Sequence, residues 1–361
     1  MRLYRAPGRV NLIGEHTDYN EGFVMPAALE RYVWVAGMPP PEDLLHLESL
    51  DLGQSWRGPV GPCQPPAAPR WAALAAGVAR VLEEKGLDLV PAHLLVAGDL
   101  PQGAGLASSA AFEVAVGLAL LDLAGRSLAP ERLALACQEA EHRFGKTRCG
   151  VMDQMASCAC LEGHALFLDC RTLQSRPVPL PPQVAILVCD SMVRHRLADS
   201  EYNLRRQQCE EAARRMGVRA LRDLAPEDLA RARRVLDPLL YRRCRHVVTE
   251  NQRALEGAQA LQAGDARAFG RLMFASHESL RRDFEVSCPE LDLLVECSRG
   301  FGGLVGARMT GGGFGGCTVH LVEVDRLEAL KEHLAAHYRA QRGIVPEMYV
   351  CRGAAGASRV Q

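Results

Sequence analysis

Four short stretches of this chain concentrate the residues able to do chemistry. In APGRVNLIGEHTDYN, Arg9, Glu15, His16 and Asp18 gather around Gly14. Carboxylates accept hydrogen bonds and imidazole accepts or donates, so such a turn suits recognition of several hydroxyls, or equally a solvated polar turn. In GDLPQGAGLASSAAFEVAVGLALL a glycine-rich turn joins a strand-like segment to a helix-like one that begins with Ser108 and Ser109. Backbone N–H groups of such a turn converge on an anion, and the helix N-terminus adds positive partial charge. The turn is a phosphate cradle in type. It lacks the Lys-Ser/Thr ending of a Walker A loop and the full spacing of a dinucleotide fingerprint, and taken alone it equally suits a helix cap made by Ser108 or Ser109.

The third stretch, MTGGGFGGCTVHLVEV, satisfies GxGxxG at Gly311, Gly313 and Gly316. A dinucleotide fingerprint must open a helix, whereas Val319, Leu321 and Val322 continue as a strand. Glycine at this density implies close backbone approach, either to a ligand or to a neighbouring loop. The fourth, AEHRFGKTRCGVMDQMAS, offers Glu141 late in a helix and Asp153 twelve residues on, beyond Gly150. A lone aspartate between Met152 and Gln154 serves structure as readily as catalysis.

The elements that must carry these groups follow from periodicity. Residues 2–11, 23–25 and 31–36 read as strands, separated by the turn GEHTDYNEG. Pro39, Pro40 and Pro41 then break the chain, and residues 53–69, with five prolines, read as an irregular surface loop. Trp71, Leu74, Val78, Val81 and Leu82 recur at helical spacing. HLLVAGDL predicts a strand, residues 109–123 a strongly apolar helix, and residues 130–144 another, with Pro130 in its first turn. Residues 165–169 and 184–191 read as strands, the chain from there to about 298 as mostly helical, and the tail as a strand (317–324), a helix through Leu334 and a strand (348–351). Strands and helices without regular βαβ alternation predict an α+β fold.

Composition narrows the function classes. A length of 361 residues, at roughly 150 per domain, predicts about two lobes. The 42 basic and 43 acidic residues nearly cancel, so no bulk field points to nucleic acid or an anionic membrane. Arginines crowd residues 205–245, but interspersed carboxylates predict a solvated helical surface. Glu113 and Asp122 interrupt the most apolar run, so no membrane span is expected, and the first residues lack the apolar core of a secretory signal. The 13 cysteines are scattered without metal-site spacing, which predicts reduced, mostly buried thiols and a cytoplasmic protein.

Together and in this order, the four stretches resemble the galactokinase branch of the small-molecule kinase superfamily that also holds homoserine, mevalonate and phosphomevalonate kinases. GRVNLIGEHTDYNEGFVMP resembles the galactokinase signature, PQGAGLASSAA the superfamily's phosphate loop and MTGGGFGGC its late glycine motif; the likeness extends through CGVMDQ and SEYNLRR. The resemblance implies a two-lobed fold, with an N-terminal lobe of residues 1–175, a C-terminal lobe of residues 176–361 and the active site in the cleft between them. It also implies transfer of the γ-phosphoryl of ATP to the C1 hydroxyl of galactose, with ATP and Mg²⁺ as cofactors. On the matching positions, Asp153 would be the catalytic base and Arg9 would stabilise it and the developing charge. Ser109 and Glu141 would hold Mg²⁺. Glu15, His16, Thr17, Asp18, Gly150 and Tyr202 would contact the sugar. Gly103, Ala104, Gly105, Leu106, Ala107, Ser108 and Ser109 would wrap the phosphates, with Gly312 and Gly313 beside them.

Ala107 stands where galactokinases commonly have the first of three serines, which removes one phosphate contact, and residues 39–69 offer no recognisable adenine contacts. Two other readings are a kinase of an amino sugar such as N-acetylgalactosamine and a non-catalytic galactose-sensing regulator. Ser108, Ser109, Ala110 and Ala111 together with Glu141 and Asp153 favour catalysis over sensing. The expected partners are the sugar and ATP, without nucleic acid or membrane, in a monomer or weak dimer.

Overall fold

The computed structural model describes residues 1–40, 42–60, 68–101, 103–145, 147–194 and 198–361. Strands β1 (Arg2–Asn11), β2 (Phe23–Val24), β3 (Pro26–Met38), β4 (Leu45–Ser49) and β5 (Gln54–Gly58) precede α1 (Arg70–Glu84), β6 (His93–Gly98), α2 (Ser108–Leu123), α3 (Pro130–Ala140) and α4 (Met152–Ala159). Three strands, β7 (His164–Asp169), β8 (Ser175–Pro179) and β9 (Val184–Arg194), lead into a helical run: α5 (Ala198–Met216), α6 (Leu229–Val235), α7 (Pro238–Gln262), α8 (Ala266–Ser279) and α9 (Pro289–Ser298). The chain ends with β10 (Leu304–Thr310), β11 (Gly315–Glu323), α10 (Leu327–Arg342), β12 (Glu347–Cys351) and β13 (Ser358–Arg359).

A six-stranded sheet has the order β13-β1-β3-β6-β4-β5, antiparallel except where β4 runs parallel to β6. A four-stranded antiparallel sheet (β10-β11-β9-β12) and a small one (β2-β7-β8) complete the α+β architecture. Helix α2 is apolar on every side, and such a helix must be buried; it packs against β1, β3, α1, α3 and α4 within the main core. A second core joins α5, α7 and the turn after α8 through Cys209, Leu240, Val247 and Phe284. The register of β1 against β3 shifts between Pro7 and Arg9, a bulge that re-aims the Arg9 side chain at the strand's end.

Several expectations need correction. Residues 53–69 are not uniformly irregular: β5 pairs with β4, because Leu45, Leu47 and Trp56 alternate onto the core, and only residues 61–67 of that stretch lie outside the described ones. Helix 130–144 stops as an α-helix at Ala140 and widens into a π-type turn, Glu141–Gly145. Asp153 belongs to a helix of its own, α4, short enough to carry little periodic signal. Within the arginine-rich stretch, Arg205, Arg206, Arg215, Arg243 and Arg245 pair with Glu201, Glu210, Glu211, Glu285 and Asp283, so that surface is internally neutralised. All cysteines among the described residues are free thiols, most of them buried. Among the described residues no helix is long and apolar enough to cross a membrane.

Candidate active site

The end of β1 delivers Arg9 to the first turn of α4. Its Nε and Nη2 donate to the two carboxylate oxygens of Asp153, both at 2.7 Å, and its Nη1 donates to the carbonyl of Gly105, also at 2.7 Å. Such a fork fixes the carboxylate in plane and direction as a single hydrogen bond could not. The backbone N–H of Arg9 donates to the Leu106 carbonyl at 3.1 Å, so one residue ties Asp153 to the glycine-rich loop. The Asp153 side chain is 25% exposed, and the exposed part lines the cleft.

The loop enters α2 through Ala107, which is left-handed at φ 60°, ψ 39°, and no side chain caps the helix. The alternative in which a serine caps it is therefore not the observed one: Ser108 and Ser109 lie in the first turn, on the cleft wall, with the helix's N-terminal N–H groups. The late glycine loop joins β10 to β11 and lines the same cleft. It also meets its neighbour: Gly311 is at φ +83°, and a Cβ there would stand 2.9 Å from the Gly105 carbonyl oxygen. Both readings of that motif hold, ligand side and loop side, and the strand that follows excludes a dinucleotide fingerprint.

At one end of the cleft stand Glu15, His16, Asp18 and Tyr202. Glu15 is buried and accepts from Arg308 Nη2 at 2.9 Å. Burial raises its carboxyl to about 7 even though Arg308 and Arg9 pull the other way. Burial, then the nearby Asp153 charge, raises Asp18 to about 6. His16, left-handed at φ 62°, turns Nδ1 to the Tyr19 hydroxyl at 2.9 Å and leaves Nε2 buried without a partner among the described residues. Burial, then His246 and Arg205, drives its imidazole well below the usual range, so the ring is neutral. Two expected sugar contacts are not on the cleft wall. Thr17 is wholly buried, its hydroxyl within 2.8 Å of the Gly14 carbonyl and 2.7 Å of the Phe23 carbonyl, and it braces the turn. Gly150 lies behind Asp18, where any Cβ would strike the carboxylate.

Glu141 reaches the cleft from the π-type turn and is 5% exposed. Beside it Glu113, wholly buried on α2, accepts from Gln154 Nε2 at 3.0 Å. Burial and the Glu141 carboxylate push Glu113 well above the ordinary carboxylate range. The cleft, about 1100 Å³, is thus lined by the polar side chains of Glu15, His16 and Asp18, by the fixed Asp153 carboxylate and the glycine-rich loop, and by the apolar Val33, Trp71, Leu74, Val96 and Phe112.

Comparison with known proteins decides among the kinase readings. The galactokinase galactose-binding signature matches residues 2–39, the GHMP kinases N terminal domain residues 73–160 and the GHMP kinases C terminal residues 258–340. Galactokinases of Roseiflexus sp. (strain RS-1) and Chloroflexus aurantiacus are each 46% identical to this chain, over 99% of it and 93% of their own length. The chain belongs to the galactokinase family. The crystal structure of Lactococcus lactis galactokinase complexed with galactose superposes with a TM-score of 0.95 at 32% identity, over 99% of this chain and 95% of that one. A mevalonate kinase, 17% identical with a TM-score of 0.68, shares the fold.

Reading motifs alone passes over two residues that hold the galactokinase signature in place. Glu250 of α7 is fully buried; its Oε1 accepts from the backbone N–H groups of Gly14 (2.9 Å) and Glu15 (3.2 Å) and from the Ser276 hydroxyl (2.6 Å). Burial alone would raise it, but Arg253, His246 and Arg308 hold it at about 2. Arg308 of β10, also fully buried, donates to the Asn11 carbonyl at 2.9 Å as well as to Glu15. A usable signal exists for Glu250: it interrupts the helix face of Val247, Ala254 and Ala258, where a charge implies a partner.

Proposed function

We propose that this chain is an ATP-dependent galactose 1-kinase whose base is Asp153, held by Arg9. The observation that carries the assignment is the two-pronged Arg9–Asp153 pair, joined through Gly105 to the phosphate loop and opening on a cleft lined by Glu15, His16 and Asp18. Galactose sits with its hydroxyls against Glu15, the neutral His16, Asp18 and Tyr202, and its C1 hydroxyl at Asp153. As that oxygen bonds to the γ-phosphorus, the bond to the bridging oxygen of ADP breaks and the hydroxyl proton passes to Asp153. The loop from Gly103 to Ser109, with Gly312 and Gly313, surrounds the phosphates, and its backbone N–H groups and the α2 N-terminus offset their charge. Arg9 adds positive charge beside the reacting oxygens and keeps base and loop in register, so positioning and electrostatics contribute more than basicity.

The buried carboxylate of Glu141 and the hydroxyl of Ser109 on the same cleft fit Mg²⁺, which takes few protein oxygens alongside phosphates and water. When bound, Mg²⁺ would neutralise charge on the transferring phosphates. The apolar end around Trp71 and Leu74 suits a purine base. The working division is residues 1–175 and 176–361 as lobes flanking the cleft, with the exception that β8 and the C-terminal β13 pair into sheets of the first lobe, in a monomer or weak dimer in the cytoplasm.

The test is ADP release over galactose, glucose, talose, 2-deoxygalactose, N-acetylgalactosamine, mevalonate and homoserine, with galactose expected to dominate. Preference for the N-acetylated sugar, or binding without turnover, would replace the reading. With galactose, Asp153→Asn should lower single-turnover rates by ~10² to 10⁴ while calorimetric affinity stays within a few fold. Turnover within about threefold of the parent would remove Asp153 from its role.

A further inference from the structure

On β4, buried Leu45, Leu47 and Ser49 alternate with part-exposed His46 and Glu48, so the latter two share the sheet face opposite the core. His93 of β6 joins them, because the parallel β4–β6 ladder sets it directly beside His46. The two imidazole rings stack with centroids 4.0 Å apart and planes 14° from parallel. Glu48 Oε2 lies 3.4 Å from His93 Nε2, and one ligand atom from each of the three residues lies within 4.8 Å of the other two. His46 Nδ1 and His93 Nε2 are shielded from solvent and make no hydrogen bond among the described residues. Shielded in this way, His46 Nδ1 carries a desolvation penalty that no described group offsets, and His93 Nε2 has only the long Glu48 contact; because the lone pairs of stacked rings lie side by side in nearly parallel planes, one imidazole must turn about its side-chain torsions for both to meet one ion.

We propose that His46, Glu48 and His93 bind a divalent transition cation of the Zn²⁺ or Co²⁺ type, with water completing its shell. Two imidazoles and one carboxylate are the donors such borderline ions prefer, whereas Mg²⁺ and Ca²⁺ select oxygen. Arg57, opposite His46 on β5, pairs with Glu42 at 3.5 Å. None of the three ligands lines the active-site cleft, yet Ser49 and Asp51, just beyond Glu48, do, and Asp51 accepts from the Gly98 backbone at 2.8 Å. A bound cation would clip β4 to β6 under the nucleoside end of the cleft.

The test is titration of the full chain with Co²⁺ alone as probe, without nucleotide and in excess Mg²⁺ so that the Glu141 site is occupied. One equivalent should bind, with the visible spectrum of nitrogen and oxygen ligation, no thiolate charge-transfer band and a raised melting temperature. His46→Gln and His93→Gln should each weaken binding at least ~10-fold. Far-UV circular dichroism and Mg²⁺-dependent kinase activity of both variants should match the parent. Glu48→Gln, which leaves the stacked rings untouched, gives the same reading should a histidine variant fold poorly. Absence of saturable binding, a thiolate band, or unchanged affinity in Glu48→Gln and the double histidine variant would overturn the site.

Discussion

Replacing Gly150 by alanine should damage galactose recognition although Gly150 itself is not on the cleft wall, because it displaces Asp18, which is. A Cβ at this position would stand 2.0 Å from Asp18 Oδ2, 2.2 Å from its Cγ and 2.6 Å from its Cβ. Gly150 is absent from the positive-φ positions, so the backbone accepts alanine and the conflict falls on the Asp18 side chain. Ordinary contact needs roughly 3.5 Å, which moves the carboxylate by more than about 1 Å. Loss of one hydrogen bond from a sugar hydroxyl to a charged acceptor costs about 1.5–3 kcal/mol, or roughly 10- to 150-fold in kcat/KM. The assay is initial-rate ADP release against galactose for the parent, Gly150→Ala, Asp18→Ala and the double variant, with melting curves to show that each folds. On the Asp18→Ala background the glycine change should add less than about twofold, since the group it displaces is gone. Parental kcat/KM in Gly150→Ala, or its full penalty persisting beside Asp18→Ala, refutes the account.

Arg308→Met leaves Glu15 buried without its main partner, and breaking a buried pair costs about 3–5 kcal/mol. Because Glu15 already sits near 7, the loss in urea-unfolding stability should be larger at pH 8 than at pH 6, where the carboxyl takes up a proton; a pH-independent loss counts against the pairing. Asp18, raised from 3.8 to about 6, should steepen the fall of galactose kcat/KM on acidification through about pH 6, and Asp18→Asn should remove that step and leave only the one Glu15 sets near 7. The same shift has the opposite sign for folding: its contribution is complete below pH 3.8 and lost as pH rises through about 6. Ser109→Ala and Glu141→Ala should each raise the Mg²⁺ concentration for half-maximal rate, Glu141 more; unchanged Mg²⁺ titrations place the metal elsewhere.

Which residues line the cleft was legible where they are neighbours in sequence, as in the Arg9 to Asp18 turn and the loop into α2, because local spacing encodes local geometry. The α+β class was legible from the order of strong periodic segments such as α1 and β1. What escaped has long-range causes. Glu250 and Arg308 act on partners more than 200 residues away, so although the apolar helix face around Glu250 marks it as a charge in need of a partner, nothing near either residue in sequence says which turn it holds. The β4–β5 hairpin hides because its short alternation sits beside prolines, and α4 because eight residues hold barely two turns. The π-type turn at Glu141 leaves the helical composition around it unchanged.

Pairing of β13 with β1 has a consequence for how the chain is made. Tyr4 meets Arg359, so the strand that ends at Arg9 and Asn11 keeps one margin open until nearly everything between has left the ribosome. Until then it is a bare template for strand addition by other nascent chains, and a chaperone that shields residues 2–5 during translation would protect the strand that carries Arg9.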